Sequence, residues 1–239
     1  MAQITITEKQ ENQSNLFYVQ SAIADIISQV GCKLESVNMG SRFMLKLNVD
    51  DIYLDIVKCE IIDRLSEIVA INYKYKYFKK EIGLKGLTED ENEILLASLI
   101  SADLEDDKRY VREKIKNSDF LSLDGIYNFR LQPLKRKWAD IVSYMPVCFV
   151  NSQLKDFIVY LLENKRERVY VDGGKVYDWH YRRLNRCELL GGNNLNIIRE
   201  VLLSNCGEVD ISGSIPEKDE YYLKEFYKDK ICFSGKHYS

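Results

Sequence analysis

The chain has 239 residues, enough to bury one large core or two smaller ones. Hydrophobic residues make up 46% and charged residues 30%, with three prolines, which excludes a disordered or linker-rich chain. A net charge of −3 supplies no global basic field for nucleic acid.

No apolar run approaches the roughly 20 residues of a spanning helix; the longest is ILLASLI, Ile94 to Ile100. The start, MAQITITEKQENQ, lacks the basic and apolar regions of a secretory signal, so a cytoplasmic location is expected. Cys32, Cys59, Cys148, Cys187, Cys206 and Cys232 form no C-x-x-C pair. They are expected to be free thiols, several of them buried, with no disulfide framework.

Residues 4–7 (ITIT) alternate and are β-branched, which predicts a strand. Leu16, Val19, Ile23, Ile26, Ile27 and Val30 fall at helical spacing, with Gly31 as the stop. Residues 33–49 read as two strands about a Met39–Gly40–Ser41 turn. A second helix is predicted over 51–70, with Ile52, Ile56, Cys59, Ile62, Leu65 and Val69 facing inward. Strand, helix, hairpin, helix is the order of a small sheet with both helices on one side, as in ferredoxin-like units. NYKYKYFKK (72–80) alternates tyrosine and lysine and reads as a strand, with Tyr73, Tyr75 and Tyr77 on one face. GLKGL (83–87) reads as the joint between a βαββα-like domain, 1–82, and a helical and α/β domain, 83–239.

Thr88 with Glu91 fits a capping box that opens a helix near residue 89. Further helices are predicted over 105–117 and about 128–144. Leu154, Phe157, Ile158, Leu161 and Leu162 then make one apolar stripe. RVYVDGGKVYDW (168–179) places strand residues on both sides of Asp-Gly-Gly, a hairpin signal. A helix over 194–205, with Leu195, Ile198, Val201 and Leu202 inward, precedes a strand at 208–212. Pro216 suits the first turn of a last helix, 216–228, and KICF (230–233) closes as a strand. The expected fold class is mixed α+β: a small N-terminal sheet with helices on one face, a helical middle, and a C-terminal hairpin plus α/β layer.

Common catalytic signatures are missing. Two histidines, His180 and His237, and unpaired cysteines give no finger-like metal spacing, so no metal and no cofactor are expected. Gly173-Gly174-Lys175 lacks the upstream glycine and following Ser or Thr of a phosphate loop, and a hairpin explains both glycines. Gly191-Gly192 resembles a loop ahead of a helix N-terminus that could bind an anion, though a plain turn explains it as well. Glu105-Asp106-Asp107 and Glu89-Asp90-Glu91 sit at predicted helix starts, where the helix dipole favours them. No G-x-S-x-G is present.

One stretch stands out. Lys165, Arg166, Arg168, Lys175, Arg182, Arg183 and Arg186 face three acids, Glu167, Asp172 and Asp178, a local +4 in a chain of net −3. Within it, DWHYRRLNR (178–186) interleaves Trp179, His180 and Tyr181 with Arg182, Arg183 and Arg186. Rings that stack on bases beside arginines that hold phosphates make a nucleic-acid surface. The same residue types anchor protein interfaces, and they also bury beside sheets and form ion pairs.

Four segments carry a resemblance to a known family. They are LTEDENEILLA (87–97), LDGIYNFRL (123–131) with Gly125, Phe129, Arg130 and Leu131, LKDFIVYLL (154–162) ahead of RVYV, and LKEFYKDKICFSG (223–235). Together they resemble the YtxC sporulation protein family of endospore-forming bacteria, over roughly 87–235. Members of that family often carry further cysteines after the terminal Cys-x-Gly element. Here Cys232 stands alone, followed by Ser234, Gly235, Lys236 and His237, so a thiol or metal role for that ending does not carry over. The resemblance implies a cytoplasmic bacterial protein associated with sporulation, and no reaction. Arg130 is its one motif residue singled out, read as bonding backbone carbonyls or a carboxylate, or as part of an interaction surface.

The expectation is a non-catalytic sporulation-associated protein that binds a protein partner, with no membrane contact. The alternatives are nucleic-acid binding through 165–186 and an enzyme whose site is assembled from scattered residues.

Overall fold

A computed structural model describes residues 2–118, 120–192 and 194–234. His237 and the end of the terminal Cys-Gly segment lie outside the described residues. In chain order come β1 (Ala2–Lys9), α1 (Gln13–Ala22), α2 (Ala24–Val30), β2 (Lys33–Asn38), β3 (Arg42–Val49), α3 (Leu54–Ile68), α4 (Lys74–Glu81), α5 (Glu89–Ser101) and α6 (Leu104–Ile115). The chain continues with β4 (Phe120–Ser122), α7 (Leu123–Gly125), α8 (Gln132–Ser143), α9 (Asn151–Leu162), β5 (Arg168–Asp172), β6 (Lys175–Tyr177), β7 (Arg183–Leu184), α10 (Asn196–Ser204), β8 (Glu208–Ser212), α11 (Glu217–Tyr227) and β9 (Ile231–Ser234). π-Helical turns at Val69–Tyr73 and Ile126–Arg130 precede α4 and follow α7. The fold is mixed α+β. Among the described residues no helix is long and apolar enough to cross a membrane.

The chain divides into two compact units, each built from two separated stretches. The first is Met1–Lys74 with Glu105–Ile141, and the second is Tyr75–Leu104 with Val142–Ser239. The boundary read from sequence at 82/83 assumes continuous domains; the units found are interleaved.

The first unit holds a four-stranded sheet in the order β2-β3-β1-β4. β1 pairs antiparallel with β3 from Ala2↔Val49 to Lys9↔Arg42, and β3 pairs antiparallel with β2. β1 and β2 therefore run parallel with β3 between them, the split β-α-β arrangement expected. β4 runs parallel to β1, Thr5↔Phe120 to Thr7↔Ser122. One helix crossing back from β3 would deliver β4 antiparallel to β1. Here the chain leaves the unit after Lys74 and returns through α6, which adds a pass and reverses the last strand.

Strict alternation along β3 buries Phe43, Leu45, Leu47 and Val49. α1 packs on β1 and β3, and α3 packs on α1. Leu16, Val19, Val57, Ile61 and Leu65 complete the core, each aliphatic side chain contributing about 1.5–3 kcal/mol by leaving water. The C-terminal half of the expected stripe faces inward, with Ile62, Leu65 and Val69 buried, but the N-terminal half is rotated away from it and Cys59 is exposed. Val57, Ile61 and Ile68 are inward, while Ile52 is 80% exposed and Ile56 57%. The expected stripe 52, 56, 59, 62, 65, 69 and the stripe 57, 61, 65, 68 both fit a helical period and share Leu65; packing against α1 brings Val57 and Ile61 inward in place of Ile52, Ile56 and Cys59.

Residues 72–80 are helical, not a strand. The Tyr/Lys alternation imitates a two-residue period inside a longer run of helical spacing. The π-turn at Val69–Tyr73 holds an extra residue, which turns the helix and carries Lys74 inward. Lys74 is fully buried and meets buried Asp107 at 2.8 Å. The Asp107 carboxylate also accepts from the Trp138 indole at 2.9 Å and from Lys137 at 2.6 Å. Glu105-Asp106-Asp107 does open α6 as expected, but Asp107 is a core ion-pair partner as well. A second buried carboxylate, Glu67, accepts from Tyr18, Arg64 and Lys108 at 2.8–3.2 Å.

The second unit holds a five-stranded sheet in the order β7-β6-β5-β8-β9. β5 and β6 form the predicted hairpin about Gly173-Gly174, whose φ values of 55° and 78° are the pair that a tight two-residue turn requires. β8 pairs parallel with β5, and β9 parallel with β8, so α10 and α11 serve as crossovers. Val169, Val171, Val176, Val209 and Ile211 point inward, toward the face on which α10 and α11 pack. Gly207 leads into β8 because a Cβ there would lie 2.0 Å from the Lys165 carbonyl oxygen. α5 begins with the predicted capping box: Thr88 Oγ1 accepts from Glu91 N–H, and the Glu91 carboxylate accepts from Thr88 N–H at 2.8 Å.

All six cysteines are free thiols. Only Cys206 is buried; Cys59, Cys148 and Cys232 are exposed, against the expectation of several buried.

Candidate interaction surface

The outer face of the five-stranded sheet is set by alternation. With the valines inward, Arg168, Tyr170 and Asp172 of β5 point outward. Register places Tyr177 and Lys175 of β6 beside Tyr170 and Asp172, and Arg183 of β7 beside Tyr177. On the other side Glu208, Asp210 and Ser212 of β8 flank β5. This face carries Arg168, Lys175 and Arg183 against Asp172, Glu208 and Asp210, so its charges balance. Arg168 Nε donates to Glu208 at 2.9 Å.

Between β6 and β7 the chain makes a short loop organised by Asp178. Its carboxylate accepts from His180 N–H and Arg182 N–H, each at 2.9 Å, and from Arg182 Nε at 2.8 Å. Its backbone closes the loop, with Tyr181 N–H donating to Asp178 O at 2.9 Å and Asp178 N–H to Arg182 O at 3.0 Å. Partial burial of Asp178 opposes ionisation, and the hydrogen bonds from Arg182 and His180 outweigh it, holding the carboxyl below the usual aspartate range. Tyr181 sits at φ 59°, and the fastened loop holds it in that left-handed conformation. Its ring stacks on Tyr170 with centroids 4.6 Å apart and planes at 15°. Trp179 packs its ring on His180 and is 58% exposed, and Tyr181 is 69% exposed.

Of the residues singled out from sequence, Arg168, Trp179, His180, Tyr181, Arg182 and Arg183 share this face and its loop. Arg186 does not. It is half-buried, and its guanidinium donates to Leu203 O at 3.4 Å. Arg130 belongs to the first unit, where it is exposed at the end of a π-turn and donates to the Ser118 hydroxyl rather than to a carbonyl or carboxylate. Sequence reasoning overlooked Tyr170, Tyr177 and the organising role of Asp178. The period of β5 and β6 could have placed both tyrosines outward. An aspartate two and four residues before two backbone N–H groups is a local turn signal.

Two further features bear on chemistry. The Gly191-Gly192 loop does precede a helix, but the first turn of α10 is answered from within the chain, since Asp219 accepts from Ile198 N–H at 2.8 Å. An external anion is not needed there. Beneath the hairpin, Glu200 is 1% exposed and accepts from Cys187 N–H at 2.6 Å, while its Oε1 has no partner. Burial raises the Glu200 carboxyl above the usual range, and burial together with Glu200 raises the Cys187 thiol. A thiol shifted upward is a poor nucleophile at neutral pH. No group of three or more His, Cys, Asp or Glu suited to a metal ion occurs among the described residues.

No protein-family model matches this chain, and no curated protein or solved structure matches it. The fold and surface define the class as far as an α+β protein with an exposed aromatic loop on a charge-balanced sheet face.

Proposed function

We propose that this is a non-catalytic cytoplasmic protein of a spore-forming bacterium that holds a protein partner against the outer sheet face of its second unit. The observation that carries the reading is the Asp178-fastened loop, which presents Trp179 and Tyr181 to solvent beside a face whose charges cancel. Preorganised Trp and Tyr are the anchors of protein interfaces, because large rings bury area while losing little conformational freedom. A nucleic-acid surface needs uncommitted positive charge for phosphates. Here Arg168 is committed to Glu208 and Arg182 to Asp178, which favours a protein partner. The sporulation setting rests on the resemblance of residues 87–235 to the YtxC family.

A photoreactive amino acid placed at position 179 in sporulating cells tests the proposal. The expected result is a discrete protein adduct that disappears in Asp178→Ala, which frees the loop. Adducts to nucleic acid would establish the alternative reading, and an absence of any adduct from position 179 would sink both.

A further inference from the structure

The four-stranded sheet ends in β2 and β4, and the five-stranded sheet in β7 and β9. An unpaired edge offers a row of backbone N–H and C=O groups to any extended chain, and charge, shortness or cover normally blunts it. β2 carries Lys33 and Glu35, β7 is two residues long, and β4 is three residues long with Leu121 buried. β9 lacks these protections. Its sequence, Ile231-Cys232-Phe233-Ser234, holds no charge and no proline, and every residue after Ile231 is exposed. Among the described residues no strand pairs with its outer edge.

Register with β8 sorts the side chains of β9. Ile231 and Phe233 lie beside Val209 and Ile211 on the inner face, and Cys232 and Ser234 beside Asp210 and Ser212 on the outer. Phe233 is still 53% exposed, although Lys224 of α11 lies over its ring at 5.3 Å. A second copy of the same strand would cover it. A two-fold axis normal to the sheet sets two copies of β9 antiparallel, and each residue then pairs with one on the same face. With the axis at Cys232, Ile231 of each copy lies opposite Phe233 of the other, which makes two apolar cross-strand pairs. Cys232 lies opposite Cys232, and no charge within either strand opposes the approach. We propose that this protein forms a symmetric dimer through β9, joining its five-stranded sheet to that of a second copy. The edge used is the one opposite β7, so the pairing does not depend on the partner of the Trp179 loop. The same axis keeps both outer faces on one side, so the dimer presents two Trp179 loops in one direction. Four residues a side cover less than the roughly 1,000 Å² of a stable complex, and the dimer is weak, with a dissociation constant on the order of 10⁻⁴ M.

Sedimentation equilibrium of the full chain over about 10 to 500 µM tests this. The mass should rise from one chain toward two with concentration. Phe233→Lys changes an exposed position and should keep the circular dichroism of the parent, while raising the dissociation constant at least about tenfold. A second measurement uses Cys232. In an antiparallel pair its two Cα atoms lie about 4.5 or 5.5 Å apart, within the roughly 4.4–6.8 Å that a disulfide spans. Cys59→Ser and Cys148→Ser remove the other two exposed thiols. Diamide should then link Cys232 to Cys232 between chains, faster at higher protein concentration and at least about tenfold slower in Phe233→Lys. A single-chain mass at every concentration would overturn the proposal and leave the edge to a strand of a different protein. A dimer indifferent to Phe233→Lys, or one in which Cys232 stays unlinked, would overturn it as well.

Discussion

Glu200 is a carboxyl enclosed by the second unit, with one oxygen on Cys187 N–H and the other unanswered. Burial raises its proton affinity above that of the unfolded chain, so the native state holds more protons than the unfolded state once pH passes about 4.5. Stability contributed by this group is therefore present at low pH and declines as pH rises toward its folded pKa. Glu200→Gln keeps the acceptor for Cys187 and removes the charge. Urea titrations should find the variant no more stable than the parent near pH 4.5 and increasingly more stable toward pH 8; a gap independent of pH would refute this. At this scale the sequence shows which groups are charged but not what answers them. The Arg182–Asp178 pair lies within four residues and is local. The Arg168–Glu208 and Lys74–Asp107 pairs are joined through strand pairing and helix packing across long stretches of chain, so nothing in either neighbourhood announces them.

Elements with a local cause were the legible ones. The capping box at Thr88, the hairpin at Gly173-Gly174, the turn at Met39–Gly40–Ser41 and the alternation of β3 each encode their structure within a few residues. Removing the cap oxygen in Thr88→Ala should cost about 1 kcal/mol and lower the urea midpoint. An unchanged midpoint would show that Asn151, which also donates to Glu91 at 2.5 Å, suffices to hold that end of α5. Elements decided by tertiary context were misread. Residues 72–80 carry a strand-like alternation yet continue a helix, because a π-turn lets both Tyr73 and Lys74 find buried acceptors, Glu8 at 2.7 Å and Asp107 at 2.8 Å. β4, three residues long, has no pattern of its own and exists because β1 offers it an edge. The candidate surface was half legible: its loop residues stood out by composition, while the tyrosines that support them became visible with the register.

For the whole molecule, fold class was readable from the alternation of helical and strand periods, and the grouping into units was not. A boundary drawn at residue 82 leaves the first unit without β4, Trp138 and Asp107. A fragment of residues 1–82 would expose one edge of β1 and strand the Lys74 ammonium in an apolar core, a cost of several kcal/mol. Such a fragment should show no cooperative unfolding transition by circular dichroism, whereas the full chain should; a cooperative fragment would mean that the first stretch is self-sufficient.

The interleaving also governs how the two units can be inherited. Their four stretches alternate along the gene, so no single breakpoint separates them: every cut between residues 74 and 142 divides one unit or both. A recombination event cannot lend the sheet with the Trp179 loop to another protein, or replace its companion, without also carrying 75–104 across a second junction. The two units are bound to travel together, whatever their partners, and substitutions in one are always transmitted with the other.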